Sequence, residues 1–148
     1  MNIVPTVGVV VFNKEKKVLL VRHTKAAGNL TGMYGLPAGR LEEEESEKHA
    51  AARELLEEAG IKAKEEDLIE FPNEVPVAKI KRKDGSVTRF SIKPYICKSY
   101  TGELKNSEEG VPEWVDIMDI SEYVLLENVE TIINNAIKYL WLDNDFNK

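Results

Sequence analysis

The stretch from Gly39 to Ile61, GRLEEEESEKHAAARELLEEAGI, constrains the fold more than any other part of the chain. An acidic turn runs into a segment free of Gly and Pro until Gly60. A helix is expected over about 46–59, with Ser46 as N-cap and Gly60 in the left-handed position that closes it. Ala51, Ala52, Leu55, Leu56 and Ala59 supply a face to bury. Glu54, Glu57 and Glu58, at i, i+3 and i+4, place three carboxylates on another. Like charges at those spacings repel and weaken a helix unless a cation gathers them, and an all-oxygen donor set suits Mg²⁺ or Mn²⁺ better than zinc. An isolated Glu-rich helix is more commonly just a solvated face, so the surroundings of these three residues decide between the readings.

Those surroundings form a pattern: G-x5-E-x7-R-E-U-x-E-E-x-G-U, with U aliphatic, filled by Gly39, Glu45, Arg53, Glu54, Leu55, Glu57, Glu58, Gly60 and Ile61. Chance matches are on the order of one in a hundred thousand per window even in a Glu-rich chain, which removes coincidence as an explanation. The pattern is the Nudix box, and the chain resembles the Nudix hydrolase family, including the MutT-like members, with no box position departing. The Gly35-Leu36-Pro37-Ala38-Gly39 lead-in is similar to that of many members. The resemblance implies an α/β fold with a mixed β-sheet sandwiched between helices. It also implies a Mg²⁺ or Mn²⁺ requirement, and hydrolysis of a nucleoside diphosphate linked to another group. Carried over by position, Glu54, Glu57 and Glu58 are the expected metal ligands, with Glu54 also a candidate for activating water. Gly39 would offer its carbonyl to the metal, and Arg53 and Glu45 would hold the loop and orient the helix carboxylates.

A length of 148 residues with 43% hydrophobic content is that of one domain with a core of its own. A net charge of −6 argues against a general nucleic-acid-binding surface, while leaving open a nucleotide held through metal ions. The single Cys97 excludes an internal disulfide framework, no segment has the length of a membrane span, and the apolar start lacks the flanks of a signal peptide. A cytoplasmic protein is expected, with no membrane or nucleic-acid partner and with a homodimer as an option.

In chain order, the β-branched run 6–12 and the run 18–23 read as a hairpin across Asn13–Lys17, both strands apolar enough to be buried on two faces. Arg22 and His23 close the second strand and are candidate phosphate or base contacts. His49 falls at an unspecified box position and reads as surface. The glycine-punctuated segment 24–34 reads as a loop reaching toward the site. Arg40 is a candidate contact to the diphosphate.

After the box a short strand is expected near Leu68–Phe71, ended by Pro72. Asp84-Gly85 marks a tight turn between two strands, ringed by basic residues at 79, 81, 82, 83 and 89. Pro94 predicts an edge or a bulge in the second of these strands. By the resemblance this region contributes to base recognition, so Phe90 and Tyr95 are candidates to stack on a base. The acidic loop 101–110 leads to a strand beginning near Trp114. In the family such a loop brings a further acidic ligand or base, with Glu103, Glu108, Glu109 and Glu113 as candidates and Glu109, before Gly110, the best match. Val129, Ile132, Ile133, Ala136, Ile137, Leu140 and Trp141 recur with helical spacing and predict an amphipathic helix on the sheet face opposite the box helix.

The expected activity is metal-dependent cleavage of the diphosphate linkage in a nucleoside triphosphate, ADP-ribose, a sugar nucleotide or a dinucleoside polyphosphate. The alternative is a non-catalytic nucleotide-binding domain that regulates a partner; such domains typically lose box carboxylates, and none is missing here.

Overall fold

The computed structural model describes residues 2–24, 30–82 and 84–142, with Leu142 described in its backbone alone. The tail beyond 142, Lys83 and the segment 25–29 of the expected loop lie outside the described residues.

Strand β1 (Ile3–Val11) is the axis of the molecule. It pairs in parallel with β7 (Val87–Cys97), in register from Ile3↔Arg89 to Val11↔Cys97, and antiparallel with β4 (Ala38–Arg40) on its other edge. The far edge of β7 takes β6 (Ala78–Lys81) along residues 87–90 and β5 (Leu68–Ile69) along 96–97, completing a mixed five-stranded sheet. A separate antiparallel sheet of three has β2 (Lys17–His23) between β3 (Tyr34–Gly35) and β8 (Gly110–Asp116).

The expected pairing of β1 with β2 is therefore corrected. The turn does close, with Asn13 N–H donating to Lys17 O at 3.0 Å and Phe12 bridging Val18, but beyond that bridge the strands separate into different sheets. Both strands are apolar on two faces, so side-chain alternation does not specify which neighbour each must take. Two further corrections concern β7 and β8. Pro94 does not interrupt β7, which is central; it lies between the stretches paired by β6 and β5, where that edge has no ladder to break. Strand β8 starts at Gly110 rather than near Trp114, because a Cβ at 110 would press into Val21 and the Arg22 carbonyl, and glycine alone lets β8 approach β2 there.

Helix α1 (Glu47–Ala59) has the expected limits. The Ser46 side chain accepts from His49 N–H, and Gly60 at φ 80 returns its N–H to Leu56 O. Its buried face, Ala50, Ala51, Leu55 and Ala59, packs on Val7, Val9, Val11, Leu19, Tyr95 and Cys97. Helix α2 (Val129–Leu142) lays Val129, Ile132, Ile133, Ala136 and Leu140 on the opposite face, against Val10, Phe12, Val18, Leu20 and Ile96. Alternate residues of β1 and β2 thus serve two cores, which is the layered arrangement their near-continuous apolar runs require. Trp141 leaves the α2 stripe and is 58% exposed. Among the described residues no helix is long and apolar enough to cross a membrane.

Leu55 is buried and its neighbour Leu56 is 45% exposed. Leu55→Ala should cost about 3 kcal/mol in denaturant unfolding, and Leu56→Ala less than about 0.5 kcal/mol. Equal losses would contradict the seating of α1 described here.

Candidate active site

The α1 carboxylates face the strands through Gly39. A Cβ at residue 39 would collide with the Glu54 carboxyl group, so the glycine is a cradle that Glu54 fills. Glu58 reaches further and accepts the Ala38 N–H at 2.8 Å. Arg53 closes the other side. Its Nε and Nη2 donate to the two oxygens of Glu45 at 2.6 and 2.9 Å, Nη1 to Glu54 at 2.9 Å and Glu57 at 3.2 Å, and Nη2 also to the Arg40 carbonyl at 3.1 Å. The bidentate Glu45 pair sits at 7% exposure on the acid side, beyond what a surface ion pair would show. This hydrogen bond first, with the charge of Arg53, holds Glu45 down to about 2.

The remaining carboxylates are electrostatically frustrated. Loss of solvent pushes Glu58 up to about 8 against the Ala38 hydrogen bond, and the charges of Glu54, Glu109 and Glu57 push the same way. Glu54 is also raised, chiefly by burial, with Arg53 opposing. One guanidinium does not balance this many acids. Among the described residues no three acidic, histidine or cysteine groups stand close enough to enclose an ion, because Glu54 and Glu57 turn to Arg53 and Glu58 to Ala38. The donor chemistry still fits a hard divalent cation: carboxylates with unneutralised charge lie beside the Gly39 backbone, and Glu57 is exposed and able to turn toward it.

Glu58 and Gly39 line a cavity of about 490 Å³. Its walls are mostly apolar, including Leu36, Ile80, Phe90, Ile92 and Leu126, with the α2 start at Val129 and Ile132 and the described loop residues Leu30 and Met33. His23 is the imidazole in this wall. Its Nδ1 is buried and has no hydrogen-bond partner among the described residues, and burial lowers its pKa while Glu109 opposes. Glu109 is thus within electrostatic reach of both His23 and Glu58, and Thr24 N–H fixes its backbone carbonyl at 3.0 Å.

Of the expected site residues, the fold brings together Glu45, Arg53, Glu54, Glu57, Glu58, Gly39, Glu109 and Phe90, with Arg40 over the Phe90 ring at 5.8 Å. It does not bring Arg22, whose Nε is 3.3 Å from Glu113 Oε2 on β8, an oxygen that also accepts from Tyr34. Alternation along β2 sends the adjacent His23 to the cavity instead. Tyr95 is corrected as well: it is 2% exposed in the α1 core and presents no ring to a base. Glu113 is held by Arg22, whereas Glu109 is a loop acid whose charge acts on Glu58. His49 is exposed beside Glu45 and Glu65. The α2 start was legible only as core stripe, since nothing local distinguishes a wall residue from a packed one.

The NUDIX domain profile matches residues 3–139, nearly the whole described structure. The chain belongs to this family. Nudix members in general use divalent metal ions. This Nudix chain is 29% identical over 141 residues to an RNA pyrophosphohydrolase of Bartonella quintana, covering 80% of this chain and 79% of that protein. It is 47% identical over 60 residues to the zebrafish protein named 8-oxo-dGDP phosphatase NUDT18, a match spanning 40% of this chain and only 18% of that one. The NUDIX domain of Shewanella oneidensis NrtR, solved with ADP ribose, superposes with a TM-score of 0.70 at 19% identity, over 95% of this chain and 90% of that one.

The Glu58 environment has a measurable consequence. Between the ordinary carboxylate range near 4.5 and about 8 the folded state holds a proton that the unfolded chain has released, so stability of the metal-free protein should fall as pH rises through that window. Glu58→Gln should flatten the decline in urea unfolding measured from pH 5 to 9. Equal slopes for both proteins would show that Glu58 titrates normally.

Proposed function

We propose that the protein hydrolyses the diphosphate linkage of a nucleoside diphosphate joined to a further group X, using Mg²⁺ or Mn²⁺. The observation that carries this is that Glu58 and Gly39 line a mostly apolar cavity large enough for a nucleotide, with the Glu54 carboxyl group seated against Gly39. Glu54, Glu57 and Glu58, with the Gly39 carbonyl, would hold the cation. When bound, a divalent cation neutralises charge on the diphosphate and lowers the pKa of a water.

The chain's own groups supply the rest. Arg53 orients Glu54 and Glu57 through Nη1 and anchors the loop through Glu45. Glu54 or Glu109 accepts the proton of the attacking water. The water oxygen bonds to phosphorus as the bridging P–O bond breaks, releasing a nucleoside monophosphate and phosphate-X, with the bridging oxygen leaving as a phosphate oxygen. The apolar wall takes the base and excludes water from one side of the reaction.

Product release by the purified protein across nucleoside triphosphates, ADP-ribose, sugar nucleotides and dinucleoside polyphosphates, with Mg²⁺ and with EDTA, tests the reading. Turnover of at least one class should disappear in EDTA. Glu57→Gln and Glu58→Gln should each lower kcat by about a hundredfold or more with the unfolding transition retained. Wild-type turnover in both variants would refute the assignment. Nucleotide binding without metal-dependent turnover would instead support a regulatory binding domain.

Gly39→Ala makes the same point from the backbone side. The added methyl displaces the Glu54 carboxyl, so activity should fall by about tenfold or more while α1 stays folded by circular dichroism.

A further inference from the structure

Positive charge in this acidic chain is concentrated beside the cavity in a way that box chemistry does not explain. The Phe90 ring, in the cavity wall, has the Arg40 guanidinium 5.8 Å and the Arg82 guanidinium 6.0 Å from its centroid. Lys79 lines the same cavity. Arg40 follows Gly39 on β4, whereas Lys79 on β6 and Arg82 in the turn after it belong to the hairpin of β6 and β7.

Hairpin lysines and arginines are ordinarily solvated and scattered, serving to protect an edge. Here two guanidinium groups converge on one aromatic ring, held by its quadrupole and, for Arg82, by donation to Thr88 Oγ1 at 3.0 Å. Among the described residues neither guanidinium, nor the Lys79 ammonium, has an ion-pair partner. Asp84 in the same turn accepts from Ser86 N–H and Oγ, and the charge of Arg82 reaches it as well without an ion pair forming. Glu127 also lines the cavity, and its carboxylate accepts the Lys79 backbone N–H at 3.0 Å. Of these three cations Lys79 lines the cavity, with Glu127 beside it, and Arg40 and Arg82 stand next to the cavity around the Phe90 ring that forms part of its wall. With Phe90 engaged by Arg40 and Arg82, its part in recognition is to array cations rather than to offer a bare face for stacking.

We propose that group X is itself a phosphate or polyphosphate, and that Arg40, Lys79 and Arg82 around Phe90 receive its charge, so that triphosphate-type substrates are preferred over nucleotides whose X is a neutral sugar. This deepens the reading of the same site and rests on it. A neutral sugar would leave these cations without a counter-charge. A further phosphate meets them with charge-assisted hydrogen bonds of the geometry that guanidinium groups supply.

The test compares kcat/KM for ATP and a diadenosine polyphosphate with that for ADP-ribose and ADP-glucose, in Mg²⁺, for wild type, Arg82→Gln and Lys79→Gln/Arg82→Gln. Wild type should favour the anionic-X class, and the double variant should lower the ratio of the two classes by roughly tenfold, through KM. Arg82→Lys should recover most of the loss, and raised salt should erode the wild-type preference. A 5′-triphosphorylated oligoribonucleotide as a further arm identifies whether a free nucleotide or an RNA end carries the triphosphate.

A wild type that prefers ADP-ribose or ADP-glucose, or a double variant whose ratio moves less than about twofold, would overturn the proposal while leaving the hydrolase reading intact. If no substrate turns over, the affinities of methylene-bridged ATP and ADP-ribose analogues give the same ratio and decide the proposal separately from catalysis.

Discussion

The seating of α1 against β1 and β4 is the constraint on which the rest of the site depends. Ala50, Ala51 and Ala59 are small enough to let the helix lie close on Val7, Val9 and Val11, and Leu55 fills the space between. Only at that separation does Glu54 rest on the bare backbone of Gly39 and Glu58 reach Ala38 N–H. Apolar packing thereby holds acidic side chains where solvent is scarce. The helix gives up electrostatic stability at Glu54 and Glu58 to do so, and its buried alanine and leucine face offsets that cost.

Arg53 makes this tolerable without removing it. Its guanidinium is shared among Glu45, Glu54, Glu57 and the Arg40 carbonyl, which fixes the acidic loop to the helix. Glu58 receives none of that compensation, and Glu109 adds to its burden. Uncompensated acidic charge of this kind beside a cavity suits a hard cation in its donor chemistry. Beside the same cavity stand basic groups as well, with Lys79 in its wall and Arg40 and Arg82 around Phe90.

Much of this was legible before any coordinates. The limits of α1, its Ser46 and Gly60 caps, the shared face of Glu54, Glu57 and Glu58, the Asp84-Gly85 hairpin and the stripe of α2 follow from interactions within a few residues of one another. The box spacing carried Arg53 and Glu45 with it. The misread features share a different origin. The β1–β2 pairing, the exposure of Arg22 to the site, the interrupted β7 and the stacking role of Tyr95 all turned on which distant segment came to lie alongside.

The sequence by itself determined that one capped helix would present three carboxylates on one face, because caps and i, i+3, i+4 spacings are local. Tertiary structure alone decided what those carboxylates face. Glu58 meets Ala38 across 20 residues, Arg22 meets Glu113 across 91, and Arg40 meets Phe90 on a strand that reaches it only through β1. Strands that are apolar on both faces can satisfy their burial with several partners, so their choice is settled by the whole packed assembly, and the cavity between them, with its imidazole and its cations, exists only once that choice is made.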